Sequence, residues 1–208
     1  MIRVITIERE YGSGGGVIAE QVATRLGWKL WDQLLTQEIA RRLDCECHAV
    51  EEHEERMDPT YYRLLKSFMR GSFEGSLNAP RLKMVDTECV REVAQKMMPE
   101  LAAAGNCVIV GRGSAYYLCG RADAFHVFIY APYHERVRRL QETGKSEKEA
   151  EELAETVDRE RADFSKRYFK VDWPARHCFH LMVNSAVGDE VAVQIILDAV
   201  ARYGKPQG

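Results

Sequence analysis

With 208 residues, 46% of them hydrophobic and 29% charged, the chain has the composition of one globular domain, which excludes a disordered or fibrous protein. A formal net charge of −3 excludes a surface that is basic throughout, as duplex nucleic acid requires, and leaves room only for local basic clusters. No run approaches the roughly 18 apolar residues of a membrane helix, and Met1 to Ile7 lacks the basic start of a secretory leader. The expectation is a cytoplasmic protein with neither membrane nor nucleic acid as a partner.

Residues 2–8 are apolar and β-branched enough for a buried strand, and Ile18, Val22, Ala23 and Leu26 then recur at helical spacing. Gly12 to Gly16 therefore form a turn between a first strand and a first helix. Gly27 closes that helix, Trp28 to Asp32 reads as a short second strand ending on a carboxylate, and Leu35, Ile39 and Leu43 restore helical spacing. From about 44 to 80 the pattern changes. An acidic run (Glu51, Glu52, Glu54, Glu55) precedes Asp58-Pro59 and a loop rich in Gly, Ser and Asn, which predicts short helices on a movable flap.

Val90, Val93, Ala94, Met97 and Leu101 mark a longer helix that leads into Cys107 to Val110, the clearest buried strand. Phe125 to Tyr130 is the next strand. The charged stretch from Pro132 to Arg167 is helical in pattern with a break at Thr143-Gly144. Phe179 to Val183 reads as a last strand and Val191 to Val200 as a closing amphipathic helix. Five strands alternating with helices predict an α/β fold, a parallel sheet covered by helices.

The six cysteines are scattered, as in a protein with reduced thiols. Cys45, Cys47, His48 and His53 match zinc-site spacing poorly, so no resident metal is assigned.

A glycine-rich turn that feeds a helix lets backbone N–H groups converge on an anion, while the helix N-terminus adds partial positive charge. Gly12, Ser13, Gly14, Gly15, Gly16 and Val17 have that composition and position. A plain tight turn is the competing account, but four glycines in five residues carry an entropic cost that such a turn does not need. The literal motifs fail. G-x-x-x-x-G-K-[ST] would need glycine at Arg9, lysine at Gly15 and a hydroxyl near Val17. The dinucleotide fingerprint fits Gly12 and Gly14 but meets Val17 where its third glycine should pack, although Asp32 lies where a ribose-binding acid would. Against it, Glu8-Arg9-Glu10-Tyr11 reads as a longer loop than a dinucleotide turn has. It stays as a distant alternative.

Transfer of a phosphoryl group requires several negative charges to be held together, by arginines and backbone donors as well as metal. Three arginine sources are available. Arg112, in Gly111-Arg112-Gly113-Ser114, follows the central strand at the sheet edge where α/β ligands bind. Arg136, Arg138 and Arg139 lie in the helix after the next strand, where a solvated helix face is an equal account. Arg159, Arg161, Lys166 and Arg167 lie beyond it, where pairing with Asp158, Glu160 and Asp163 along one helix is the plainer account.

Together these stretches resemble the cytidylate kinase-like family of nucleoside monophosphate kinases over nearly the whole chain. The resemblance rests on Ile7 through Gly15, Val108 to Gly113, Val127 to Pro132, Asp158-Arg159 through Phe169, and Asn184-Ser185; the first two stretches are the most specific. It implies a three-layer P-loop kinase-like fold over residues 1–208. An acceptor-binding flap would span about 44–80 and a lid about 140–172.

It further implies an ATP- and Mg²⁺-dependent phosphotransferase acting on a nucleoside monophosphate, with CMP a candidate, or on a related small acceptor. Gly12 to Val17 would cradle the donor phosphates and Arg136 would lie near the donor base or phosphates. Arg112 would contact the acceptor phosphate, Asp32 would orient the acceptor or a magnesium-bound water, and Arg159, Lys166 and Arg167 would be lid cations.

The chain departs from that pattern in two places. Relatives carry G-S-G-G-R, with arginine where this chain has Gly16, and ordinary cytidylate kinases carry lysine and Ser/Thr there; neither solution is present. They also show Asp after the Gly-Arg pair, where this chain has Gly113. By analogy with removal of one preorganised donor, loss of the loop cation would cost about 3 kcal/mol of transition-state stabilisation. A non-catalytic nucleotide-binding or regulatory module on the same fold is the second expectation.

Overall fold

The computed structural model describes residues 1–46 and 87–203. The expected flap at 44–80 therefore lies almost wholly outside the described residues, as do Cys47, His48 and His53. Five strands form one parallel sheet: β1 (Val4–Arg9), β2 (Lys29–Trp31), β3 (Cys107–Val110), β4 (Ala124–Tyr130) and β5 (Leu181–Asn184). They are joined by α1 (Gly15–Leu26), α2 (Gln33–Glu46), α3 (Thr87–Ala104), the single turn α4 (Ser114–Tyr117), α5 (Tyr133–Glu142), α6 (Glu147–Phe169) and α7 (Asp189–Tyr203).

The strand order β2-β3-β1-β4-β5 separates the alternatives left by the motifs. In a dinucleotide-binding sheet β1 lies beside β2. Here β1 pairs with β3 and β4, and β2 is displaced to the edge beyond β3. That is the P-loop kinase arrangement, and it removes the dinucleotide reading.

The register also corrects the loop length. Glu8 and Arg9 pair with Phe128 and Ile129, so the strand runs to Arg9 and the connection to the helix is short. Gly15, Gly16 and Val17 are likewise the first turn of α1 rather than part of the turn before it.

Alternation along β1 divides the core. Ile5 and Ile7 face α1 and α7 in a cluster with Val108, Val110, Ile18, Val22, Val193 and Ile196. Val4, with Cys107 and Ile109, faces α2 and α3 through Leu35, Ile39, Val93 and Met97. A third cluster, Tyr11, Val137, Leu140, Ala154 and Val157, packs α5 and α6 together beside the glycine turn.

The break at Thr143-Gly144 is real. Ser146 starts α6 with a capping box, its hydroxyl accepting from the Glu149 N–H while the Glu149 carboxylate accepts from the Ser146 N–H. Gly27 ends α1 in the left-handed conformation, as its position in the sequence predicts.

Candidate phosphate-binding site

At the carboxyl edge of the sheet two turns lie side by side, Glu10 to Gly14 after β1 and Gly111 to Gly113 after β3. The Gly111 N–H donates to the Ile7 carbonyl at 2.9 Å, which holds the second turn level with the end of β1. Gly12 and Gly14 have φ of +81° and +74°, a conformation costly for residues with a Cβ. Gly14 caps α1 without any side-chain hydrogen bond, and no acidic residue stands in the first turn. The N–H groups of Gly14 to Val17 therefore have no acceptor within the helix and sit at its positive end.

Ser13 contributes differently from a phosphate ligand. It is fully buried, and both its N–H and its hydroxyl donate to the Glu10 carbonyl, at 3.3 and 2.8 Å. Ser13 shapes the turn. A further tie comes from Ser185 after β5, whose hydroxyl donates to the Ser13 carbonyl at 2.6 Å.

Arginines surround the turn. Arg136 on α5 binds Asp158 at 2.5 Å and lies 3.5 Å from Glu10, and its backbone presses on Gly12, where a Cβ would come within 2.9 Å of the Arg136 carbonyl oxygen. Arg139, one turn on, packs its guanidinium against Gly14, pairs with Asp189 at 2.8 Å and donates to the Ser185 carbonyl at 3.2 Å. Arg138 faces solvent with Glu135 and Glu142. The cluster read as one unit in the sequence is thus split by helical phase, two arginines at the turn and one on the surface.

The same phase operates on α6. Asp158 accepts the Tyr11 N–H at 2.9 Å, and Arg161 donates to the Arg9 carbonyl at 2.7 Å, so this helix is stitched to the glycine turn. Arg159, Lys166 and Arg167 are exposed on it, away from the groups that meet the turn. Farther along, Phe169 lies against Gly113, whose Cβ would sit 2.5 Å from the ring, and against Tyr116 and Tyr117. This explains the missing Asp: position 113 has φ of +70° and a ring on its open side.

Arg112 and Asp32 meet beneath the second turn. Nη1 of Arg112 donates to Asp32 Oδ1 at 2.8 Å and to the Val110 carbonyl at 2.9 Å, with the two side chains 1% and 3% exposed. Arg112 reaches this geometry through a φ of +56°. Asp32 is thus bound to Arg112 at the end of β2, just past Trp31.

Two residues unassigned from sequence complete the edge. Arg9 is 5% exposed and fills the space beneath Gly15, where a Cβ would fall 2.7 Å from its own Cβ. Glu8, on the opposite face of β1, is buried with Oε1 lacking a hydrogen-bond partner among the described residues. Burial raises its carboxyl above the ordinary range despite Arg9, Arg161 and Arg112 nearby. The signal for both was their position in the last two residues of a strand otherwise apolar inside.

Among the described residues, no group of three His, Cys, Asp or Glu is placed to hold a metal, and no helix is long and apolar enough to cross a membrane. Gly16 offers no side-chain oxygen and the Ser13 hydroxyl is committed to Glu10. The described residues therefore do not form a magnesium site of their own.

Comparison with known proteins agrees with the fold. A curated cytidylate kinase from Methanosarcina mazei is 30% identical over 82 residues, 38% of this chain and 46% of that protein, so the match spans about half of the relative's length. An uncharacterized protein from Eubacterium ventriosum superposes with a TM-score of 0.69 at 18% identity, covering 97% of this chain and 99% of the other. Shikimate kinase from Acinetobacter baumannii, solved with shikimate, gives 0.53 at 14% identity, covering 98% and 96%. These two likenesses concern the fold, a P-loop kinase fold. The family model described as cytidylate kinase-like matches residues 4–187, and the chain belongs to that family.

Proposed function

We propose that the chain is an ATP-dependent phosphotransferase whose acceptor is a nucleoside monophosphate, CMP among the candidates, or a related small molecule. Membership of a kinase-like family supports a nucleotide or nucleoside phosphotransferase in general. The observation that carries the reading is the uncapped N-terminus of α1, behind Gly12 and Gly14, beside a second turn that carries Arg112. Backbone donors and guanidinium groups face one edge of the sheet, the arrangement a polyphosphate donor and an anionic acceptor need for charge neutralisation and alignment.

In this reading the N–H groups of Gly14 to Val17 hold the donor phosphates, and Arg136 and Arg139 define the donor side. Arg112, aligned by Asp32, holds the acceptor side, and residues 140–172 act as the lid. With Arg159, Lys166 and Arg167 exposed, their role as lid cations requires α6 to shift when a nucleotide binds. Magnesium, if the donor brings it, would supply further charge neutralisation, and no described residue is assigned to hold it. Catalysis is positioning and charge neutralisation, without a covalent intermediate.

A coupled ADP-release assay across monophosphates and nucleosides tests this directly, with turnover expected on one class of acceptor. No turnover on any acceptor by folded protein overturns it. The second reading, a nucleotide-binding module without catalysis, is favoured by the absence of both lysine and hydroxyl at Gly15 and Gly16. Calorimetry showing ATP binding without turnover would favour that module, and Gly16→Arg should then raise activity.

A further inference from the structure

We propose that Arg9 supplies the cation of the phosphate loop, reaching from beneath it to the phosphoryl group that passes between the glycine turn and the Arg112 turn. This rests on the phosphotransferase reading. Arg9 stands where the usual motif begins with glycine, five residues before Gly14, and Gly15 stands where the motif has lysine. The two departures are one substitution in space.

The geometry excludes both cations at once. A Cβ at Gly15 would lie 2.7 Å from Arg9 Cβ and 2.8 Å from Cγ, so any side chain at 15 meets the stem of Arg9. The other end of the side chain reaches the second turn, where a Cβ on Gly111 would fall inside contact distance of Arg9 Nη1. Arg9 therefore spans the gap between the donor-side turn and the acceptor-side turn, and the glycines at both ends are the room it needs.

Charged groups of both signs surround it. Among the described residues, Arg161 and Arg112 act on it from the positive side and Asp32 and Glu8 from the negative, and Asp32 also pairs with Arg112. Burial, and then Arg161, draw the Arg9 guanidinium down to about 9. A phosphate dianion at this edge would meet three converging guanidinium groups, Arg9, Arg112 and Arg161. The same burial that weakens Arg9 alone strengthens its attraction to such an anion.

The test uses the full chain, with calorimetric binding of inorganic tripolyphosphate and turnover of ATP with the best monophosphate acceptor. Arg9→Met should lower tripolyphosphate affinity at least about tenfold and kcat by about 10²-fold, with acceptor KM changed little. Arg9→Lys should keep part of the activity and lose it as pH rises from 7 to 9, because a buried lysine sheds its proton far below arginine. A purely structural Arg9 would not create that pH dependence. Wild-type affinity and kcat in folded Arg9→Met overturn the proposal. Should Arg9→Met fail to fold, a pH-independent Arg9→Lys with wild-type affinity overturns it equally. Arg9-dependent tripolyphosphate binding without turnover on any acceptor would instead defeat the phosphotransferase reading and leave the phosphate contact of Arg9 standing.

Discussion

Arg112 and Asp32, 80 residues apart in the chain, form a buried ion pair at 2.8 Å that ties the end of β2 to the turn after β3. Both ends of the pair belong to the proposed acceptor side. Its geometry makes the turn dependent on the pair, and therefore mixes stability with function in any single substitution.

Removing one member deprives the other buried charge of its 2.8 Å partner, so Arg112→Ala and Asp32→Ala should each cost about 3–5 kcal/mol. Replacing both by apolar residues of similar volume, Asp32→Leu with Arg112→Met, should recover most of that loss while acceptor binding stays absent. Urea denaturation alongside acceptor titration reads the two effects separately. Additive losses in the double variant would show that the pair is not the coupled unit described here.

Gly113, where the resemblance to cytidylate kinases implies Asp, supports the ring of Phe169 in a left-handed conformation. Gly113→Asp should destabilise the fold by roughly 1–3 kcal/mol. Adding Phe169→Ala should return the part due to the clash but not the part due to backbone strain. Thermal melts of the two single variants and the double variant measure that coupling.

Asp158 joins α6 to the glycine turn through the Tyr11 N–H, Arg136 and Arg161. Asp158→Ala leaves all three without this acceptor, an expected loss of about 1–3 kcal/mol. Hydrogen exchange should accelerate at residues 10–16 and in the middle of α6, while the far end of α1 stays protected. Uniform acceleration across the sheet would mean global destabilisation rather than release of α6.

Acid should weaken the fold through His126, whose Nδ1 lies 2.7 Å from the Thr6 hydroxyl and whose ring stacks on His180. Burial, and secondarily His180, depress His126 from 6.5 to about 4. The unfolded chain then binds the proton first as pH falls, so this contribution is fully present above about 6.5 and is lost between 6.5 and 4. The shift corresponds to roughly 3 kcal/mol. Denaturation midpoints of the wild type and His126→Gln should converge as pH falls through that window. Parallel pH profiles would show that His126 is not the sensor.

Periodicity in the sequence was enough to determine five strands in their correct order along the chain, the turn before α1, the left-handed Gly27 and the break before Ser146. These are local properties, set by which residues recur at two or at 3.6 and by which side chains suit a cap. The lateral order of the strands was not local. That β1 lies between β3 and β4 depends on crossovers, and only the register of Ile7 with Val110 and Val127 decided it.

The same division runs through the site. Gly12 and Gly14 were legible as a turn between the first strand and the first helix, and Gly111-Arg112 as a turn after a buried strand. Which of the arginines reach the turns was decided by helical phase and by distances between segments far apart in sequence. That is why Arg138 and Arg159 face solvent while Arg139 and Arg161 do not. Arg9 read as part of a connecting loop until its pairing with Ile129 placed it in the strand. Gly15 read as phosphate-loop composition and Gly111 as part of the turn after a buried strand, and only packing showed that both make room for one arginine.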